Sequence, residues 1–255
     1  MSKKILFLAS NYGLWGEELQ APWDACNEAG FETVVSTFTG KTPLPLDVSV
    51  QAGFVDPVQD VVMTPENVAN RMEEILDDGE WEDPVKTGDV DMDNYDAIVI
   101  TGGPGAGFDI TGSVTVHNLV TEAYKSGKLV AAICAGVATL GYTRHPDKEG
   151  RSLVRGKEVA AHPRSWDFAF EMEYNLARAT EENNGSTIVT PGFIIPVEWI
   201  MQDATGDPDL VHAVPDADRE NPVVYYDKPI LTAQSVASSV AFGEKLVEVM
   251  KEGDY

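Results

Sequence analysis

Three stretches of the chain are apolar almost without interruption: Ile5–Ala9, Tyr95–Thr101 (YDAIVIT) and Lys128–Ile133 (KLVAAI). A strand with one face in water alternates apolar and polar residues, whereas a strand covered on both faces does not have to. Between such runs the spacing turns helical. Leu19, Trp23 and Cys26 fall on one face of a helix over Glu17–Ala29 that stops at Gly30, and a second helix over Val114–Ser126 stops at Gly127. Glycine just past the last helical residue is a common helix stop. Continuous strands alternating with helices predict an α/β fold: a mostly parallel sheet with helices on both faces. A strand over Phe31–Ser36, a hairpin over Val223–Tyr226 and Ile230–Ala233, and a C-terminal helix over Ser235–Met250 extend the pattern.

Two regions break the rhythm. Residues 40–93 hold five prolines and many acids, with Thr64-Pro65-Glu66 opening a helix to about Leu76. This segment reads as an insertion or cap within a single domain over 1–255. The last third is less regular: it predicts a strand at Glu158–Ala161, a helix near Trp166–Arg178 and a helix around Val197–Gln202.

Charge excludes some partners. With 42 acidic against 18 basic residues, the net charge is −24. Such a surface repels nucleic acid and anionic membranes, so neither is expected as a partner. The acids are dispersed, which suits a soluble protein and a salt-rich cytoplasm. The N-terminal apolar run is about five residues, short of the roughly 7–15 of a secretion signal. Two cysteines make no disulfide framework, so a reduced, cytoplasmic setting is expected.

The residues that carry chemistry sit where strands end. Ile133 runs straight into Cys134-Ala135-Gly136. A strand ending at a nucleophile, followed by small residues and a helix start, is a nucleophile elbow. The free N–H groups there favour a thiolate and a developing oxyanion, which predicts a Cys134 pKa below the usual thiol value. The bland alternative is a buried core cysteine. Thr101-Gly102-Gly103-Pro104-Gly105 follows another strand. It lacks the Lys-Ser/Thr of a phosphate loop and reads better as backbone donors facing the elbow. Glu17-Glu18 opens the first helix, where acids are ordinary but where open α/β sheets also place their sites. Four histidines are candidates, with His162-Pro163 directly after a strand. No zinc-ligand spacing occurs, so neither metal nor cofactor is expected.

These residues together resemble the ThiJ/PfpI superfamily, with its class I glutamine-amidotransferase-like fold. KKILFLAS, EELQAPWDACNEAGFE, YDAIVITGGPGA, KLVAAICAGVATL and LTAQSVASSVAFGEKLVEVM carry the likeness in order. The resemblance implies a flavodoxin-like doubly wound sheet plus insertion segments, and the 40–93 and 183–222 stretches look like the chaperone/glyoxalase III branch. It implies Cys134 as the reactive cysteine, Glu18 as the glutamate bonded to the thiol, and Gly103 and Ala135 as backbone donors of an oxyanion hole. That branch usually places His after the cysteine, where this chain has Ala135. The CAG elbow resembles instead the deglycase branch, in which a His-Pro pair approaches the cysteine; His162-Pro163 matches it. No synthase domain or His-Glu pair for glutamine amidotransfer is visible.

The function this implies is a cofactor-independent cysteine enzyme acting on reactive carbonyls, of glyoxalase III or deglycase type, converting methylglyoxal to lactate. Redox sensing or holdase chaperoning on the same scaffold is the alternative, as is hydrolysis or hydration of amides or isonitriles. A small electrophile is the expected ligand. The family likeness and the apolar residues Trp81, Phe54 and Val55 predict a homodimer.

Overall fold

The computed structural model describes residues 2–167, 173–253 and 255. Its centre is one seven-stranded sheet built from β1 (Lys4–Leu8), β2 (Glu32–Thr37), β3 (Val85–Lys86), β4 (Ala97–Ile100), β5 (Leu129–Ile133), β6 (Val224–Asp227) and β7 (Ile230–Ala233). The spatial order is β6-β7-β5-β4-β1-β2-β3. All neighbours run parallel except the β6–β7 hairpin. The uninterrupted apolar runs lie at the middle of this sheet, and every residue of β4 and β5 is buried. The α/β, doubly wound expectation holds.

Helices cover both faces. On one side α1 (Gly16–Glu28), α2 (Glu66–Asp78) and α6 (Ser239–Glu252) pack together; on the other lie α3 (Val114–Lys125), α4 (Ala138–Tyr142) and α5 (Val197–Thr205). The α1–α6 contact is close because Gly243 has no side chain: a Cβ there would sit 2.9 Å from the Cα of Pro22. The predicted elements over these regions match within a few residues.

The 40–93 segment contributes to the main body. Its helix α2 turns Val68, Met72 and Ile75 into the principal core, and β3 adds a strand to the sheet edge. Trp81 is buried in that same core, so it is not available as interface surface. Ahead of α2, strands Phe54–Asp56 and Val61–Thr64 form an antiparallel hairpin. Met63 from this hairpin joins Leu44, Leu46, Tyr174, Leu176 and Val236 in a smaller core around Trp15.

One predicted element is absent where it can be checked. The helix expected near Trp166–Arg178 falls partly on 168–172, outside the described residues. On either side the chain is not helical beyond a single 3-10 turn, Arg164–Trp166. Asp167 is extended, and Glu173–Tyr174 pairs with Thr190–Pro191 as antiparallel strands. Tertiary contacts override the helical spacing: Asp167 is drawn to His162, and Tyr174 is buried in the smaller core.

Candidate active site

The carboxyl ends of the parallel strands set the geometry. Leu8, Ile100, Ala132 and Thr232 are in register across β1, β4, β5 and β7, with Ile133 and Ala233 paired one residue further on. The chain leaving β5 turns at once. Cys134 has φ 54°, the left-handed region that a non-glycine residue rarely occupies. Residues held in such conformations cluster at functional sites, where surrounding contacts over-determine them. Here the contact is with the loop after β4. A Cβ on Gly136 would sit 2.5 Å from the Thr101 carbonyl oxygen and 2.8 Å from that of Ile100.

That loop is also pressed against the segment leading into α1. A Cβ on Gly103 would collide with the backbone at Gly13–Trp15, and the Gly105 N–H donates to the Gly13 carbonyl at 3.0 Å. Gly102 occupies the gap between Glu18 and Cys134: a Cβ there would meet Glu18 Oε2 and lie 2.7 Å from the Cys134 Cβ. Glycine is required by space at this point, which is why the β4 loop reads as TGGPG.

Cys134 and Glu18 are almost completely buried, at 2% and 1% exposure. Burial pushes the Glu18 carboxyl up to about 8; the nearby thiol and the Gly103 and Gly102 N–H groups pull it down, and charged Glu17 pushes it further up. Burial and the Glu18 carboxylate likewise push the Cys134 thiol well above its ordinary value, against the pull of the Gly103 and Ala135 N–H groups. The expected lowering of the thiol pKa therefore does not occur in this closed site: two backbone donors do not outweigh loss of solvent plus a like charge. The donors themselves stand where the sequence placed them, at Gly103 and Ala135.

His162 follows the short strand Val159–Ala160, which pairs with Val211–His212. Its Nδ1 lies 3.0 Å from Oδ1 of the buried Asp167, its ring stacks on Phe193 at 5.0 Å, and Trp166 meets it edge-on. An ionised Asp only accepts, so in this bond Nδ1–H donates to Oδ1. Burial raises the Asp167 carboxyl and the His162 contact pulls it back.

Cys134, Glu18 and His162 line one narrow cleft together with Trp15, Met63 and Phe193. Three buried polar atoms of its lining, Glu18 Oε2, Trp15 Nε1 and Ser235 Oγ, have no partner in hydrogen-bond geometry among the described residues. Buried polar groups are normally paired, and unpaired ones around a cleft fit a ligand that would complete them. Gly103 and Ala135 bring their N–H groups to the same cysteine. Glu17 does not face the thiol; its carboxylate is clamped by Arg219. Asp167 and Arg219 were not singled out by sequence reasoning. Asp167, five residues past His162, carries only a weak signal, and Arg219 none. No group of three or more His, Cys, Asp or Glu side chains that could hold a metal occurs among the described residues.

An open, mostly parallel α/β sheet whose carboxyl edge carries a cysteine in a strained elbow, facing a buried glutamate, defines a class of cysteine-centred α/β proteins. The chain belongs to the DJ-1/PfpI family, whose model matches residues 3–249. Among curated proteins it is similar to the glutathione-independent glyoxalase hsp3101 of Schizosaccharomyces pombe, with 28% identity over 196 residues, 71% of this chain and 74% of that protein. Among solved structures, glyoxalase III from Candida albicans aligns over 96% of both chains with a TM-score of 0.66 and 20% identity. Drosophila melanogaster DJ-1beta aligns over 97% of this chain and 90% of its own with a TM-score of 0.55 and 17% identity. These structural likenesses bear on the fold.

Proposed function

We propose that this protein is a cofactor-independent glyoxalase that converts methylglyoxal, or a closely related 2-oxoaldehyde, to the 2-hydroxy acid through a covalent Cys134 intermediate. The observation that carries the reading is the packing of Cys134 and a buried, high-pKa Glu18 against each other across Gly102. The likeness to a glutathione-independent glyoxalase supports the choice of substrate.

The reaction balances without an oxidant. Cys134 Sγ adds to the aldehyde carbon while its proton passes to a Glu18 oxygen and the Glu18 proton passes to the aldehyde oxygen. A neutral carboxyl can do both at once, because one oxygen donates and the other accepts. Charge developing on the substrate oxygen meets the Gly103 and Ala135 N–H groups. The hemithioacetal then isomerises: Glu18 carries the proton from C1 to C2 while the C1 hydroxyl proton passes to the C2 oxygen, leaving a lactoyl thioester on Sγ. His162, oriented by Asp167, takes a proton from water at Nε2. The water oxygen adds to the thioester carbon, the C–S bond breaks, the proton held by His162 passes to Sγ, and lactate leaves with the Cys134 thiol restored. Methylglyoxal plus water gives lactate.

A peroxide-sensing thiol is less well supported, because low thiol pKa and exposure favour oxidation and Cys134 has neither. Within this reading the protein acts on small carbonyls, has no nucleic-acid partner on account of its charge, forms a homodimer as its family likeness implies, and works in a reducing cytoplasm, where both free cysteines persist. Among the described residues no helix is long and apolar enough to cross a membrane.

The test is lactate formation from methylglyoxal in the absence of glutathione. Wild type should turn over, and Cys134→Ala should lose activity to background. Turnover undiminished in Cys134→Ala, or none in wild type, overturns the proposal.

A further inference from the structure

Outside the cleft, one ion pair stands apart from the rest. Glu17 is 1% exposed, yet both its oxygens are bonded to Arg219: Nη1 to Oε1 and Nη2 to Oε2, each at 2.6 Å. The same Nη2 donates to the Met63 carbonyl at 2.8 Å. Two-pronged guanidinium–carboxylate pairs are the strong kind, and breaking a buried one leaves an uncompensated charge. This pair joins three pieces of chain: the start of α1, the Phe54–Thr64 hairpin and the 207–222 stretch. Met63, whose carbonyl receives the third bond, also lines the Cys134 cleft. Glu17 is the immediate neighbour of Glu18, and it is the charged group besides Cys134 that acts on the Glu18 carboxyl. His162 and Asp56 share the cleft lining.

We propose that Arg219 is a positioning residue of this site: it holds Glu17 as a buried ion, pins the Met63 hairpin at the cleft, and so sets the charge that Glu18 faces. The proposal rests on reading Glu18 and Cys134 as the reacting pair. The consequence has a definite sign. Burial raises the Glu17 carboxyl and the Arg219 contact pulls it back, whereas no cation does so for Glu18. With Arg219 gone, Glu18 must then ionise beside an unscreened negative charge. With Glu17 replaced by Gln, Glu18 instead faces a cation with no charge between. The two changes move the Glu18–Cys134 titration in opposite directions, each by about one pH unit.

The experiment is the pH dependence of Cys134 alkylation by iodoacetamide, followed by mass spectrometry on the full chain. This readout does not require methylglyoxal turnover, so its failure is distinguishable from failure of the glyoxalase reading. Wild type should have a midpoint above that of an ordinary thiol. Arg219→Met should raise the midpoint, Glu17→Gln should lower it, and Arg219→Lys should return most of the way to wild type. A purely structural brace would shift both variants the same way or leave the midpoint fixed; either result overturns the proposal. Should Arg219→Met not fold, Glu17→Gln keeps an acceptor for Arg219 and decides alone: a midpoint unmoved or raised contradicts the assignment.

Discussion

At the residue scale, Glu18 is the most informative side chain. A carboxyl held near 8 in the folded protein ionises near 4.3 once unfolded. Between those values the native state binds more protons than the unfolded one, so this group's contribution to stability is present below the lower value and lost as pH rises through the upper. Glu18→Gln, uncharged at every pH, should therefore melt higher than wild type at pH 8, by several degrees, with the gain shrinking toward pH 4.5. Melting curves at the two pH values check this; an equal shift at both would mean that Glu18 is not held neutral. Gly102 gives a second prediction. Gly102→Ala pushes a methyl group between Glu18 and Cys134, and displacement on that scale costs about a hundredfold in rate. Turnover should fall accordingly, and the melting temperature should fall too, because the added Cβ also lies 2.8 Å from the Ile133 carbonyl oxygen.

At the element scale, the sheet and its elbow were legible in the sequence because their signals are local. An uninterrupted run such as KLVAAI has few alternatives to a strand covered on both faces, and a run that ends at Cys-Ala-Gly must turn there. Cys134, Gly103, Ala135 and His162 each sit within a few residues of a strand end, whereas Glu18, in the first turn of α1, was reached through the resemblance of EELQAP to the family. Asp167, Arg219 and Phe193 come from irregular segments and Met63 from the small 54–64 hairpin, whose positions are decided by distant packing rather than by local periodicity. The same reason explains the helix expected near Trp166–Arg178: its spacing is helical, but Tyr174 is buried among partners far away in sequence. The thiol was misjudged because desolvation depends on burial, which no motif reports. The α1–α6 contact offers a test of how closely the elements are packed. Gly243→Val would drive a branched side chain against Pro22 and cost about 1–3 kcal/mol. That corresponds to roughly 2–4 °C per kcal/mol for a domain of this size. A variant melting within one degree of wild type would show that the helices separate freely.

At the scale of the whole molecule, the surplus of 42 acids over 18 bases dominates. Like charges spread over one surface repel, and salt shortens the range of that repulsion from roughly 10 Å at 0.1 M to about 3 Å at 1 M. The melting temperature should rise from dilute buffer to molar KCl. A flat or falling curve would mean that the acids are solvated without straining the fold. The charge also bears on assembly, since two copies at −24 associate less readily in dilute buffer. Light scattering behind size exclusion should give twice the chain mass in high salt; a single chain mass at both low and high salt contradicts the homodimer. The central claim concerns one atom, Sγ of Cys134, and the most direct measurement is acid-quenched mass spectrometry during methylglyoxal turnover. Glu18→Gln, which binds substrate but transfers protons slowly, should accumulate an adduct of one methylglyoxal on Cys134, and Cys134→Ala should show none. Lactate forming while Cys134 stays unmodified, with adducts confined to lysines and arginines, would contradict the account.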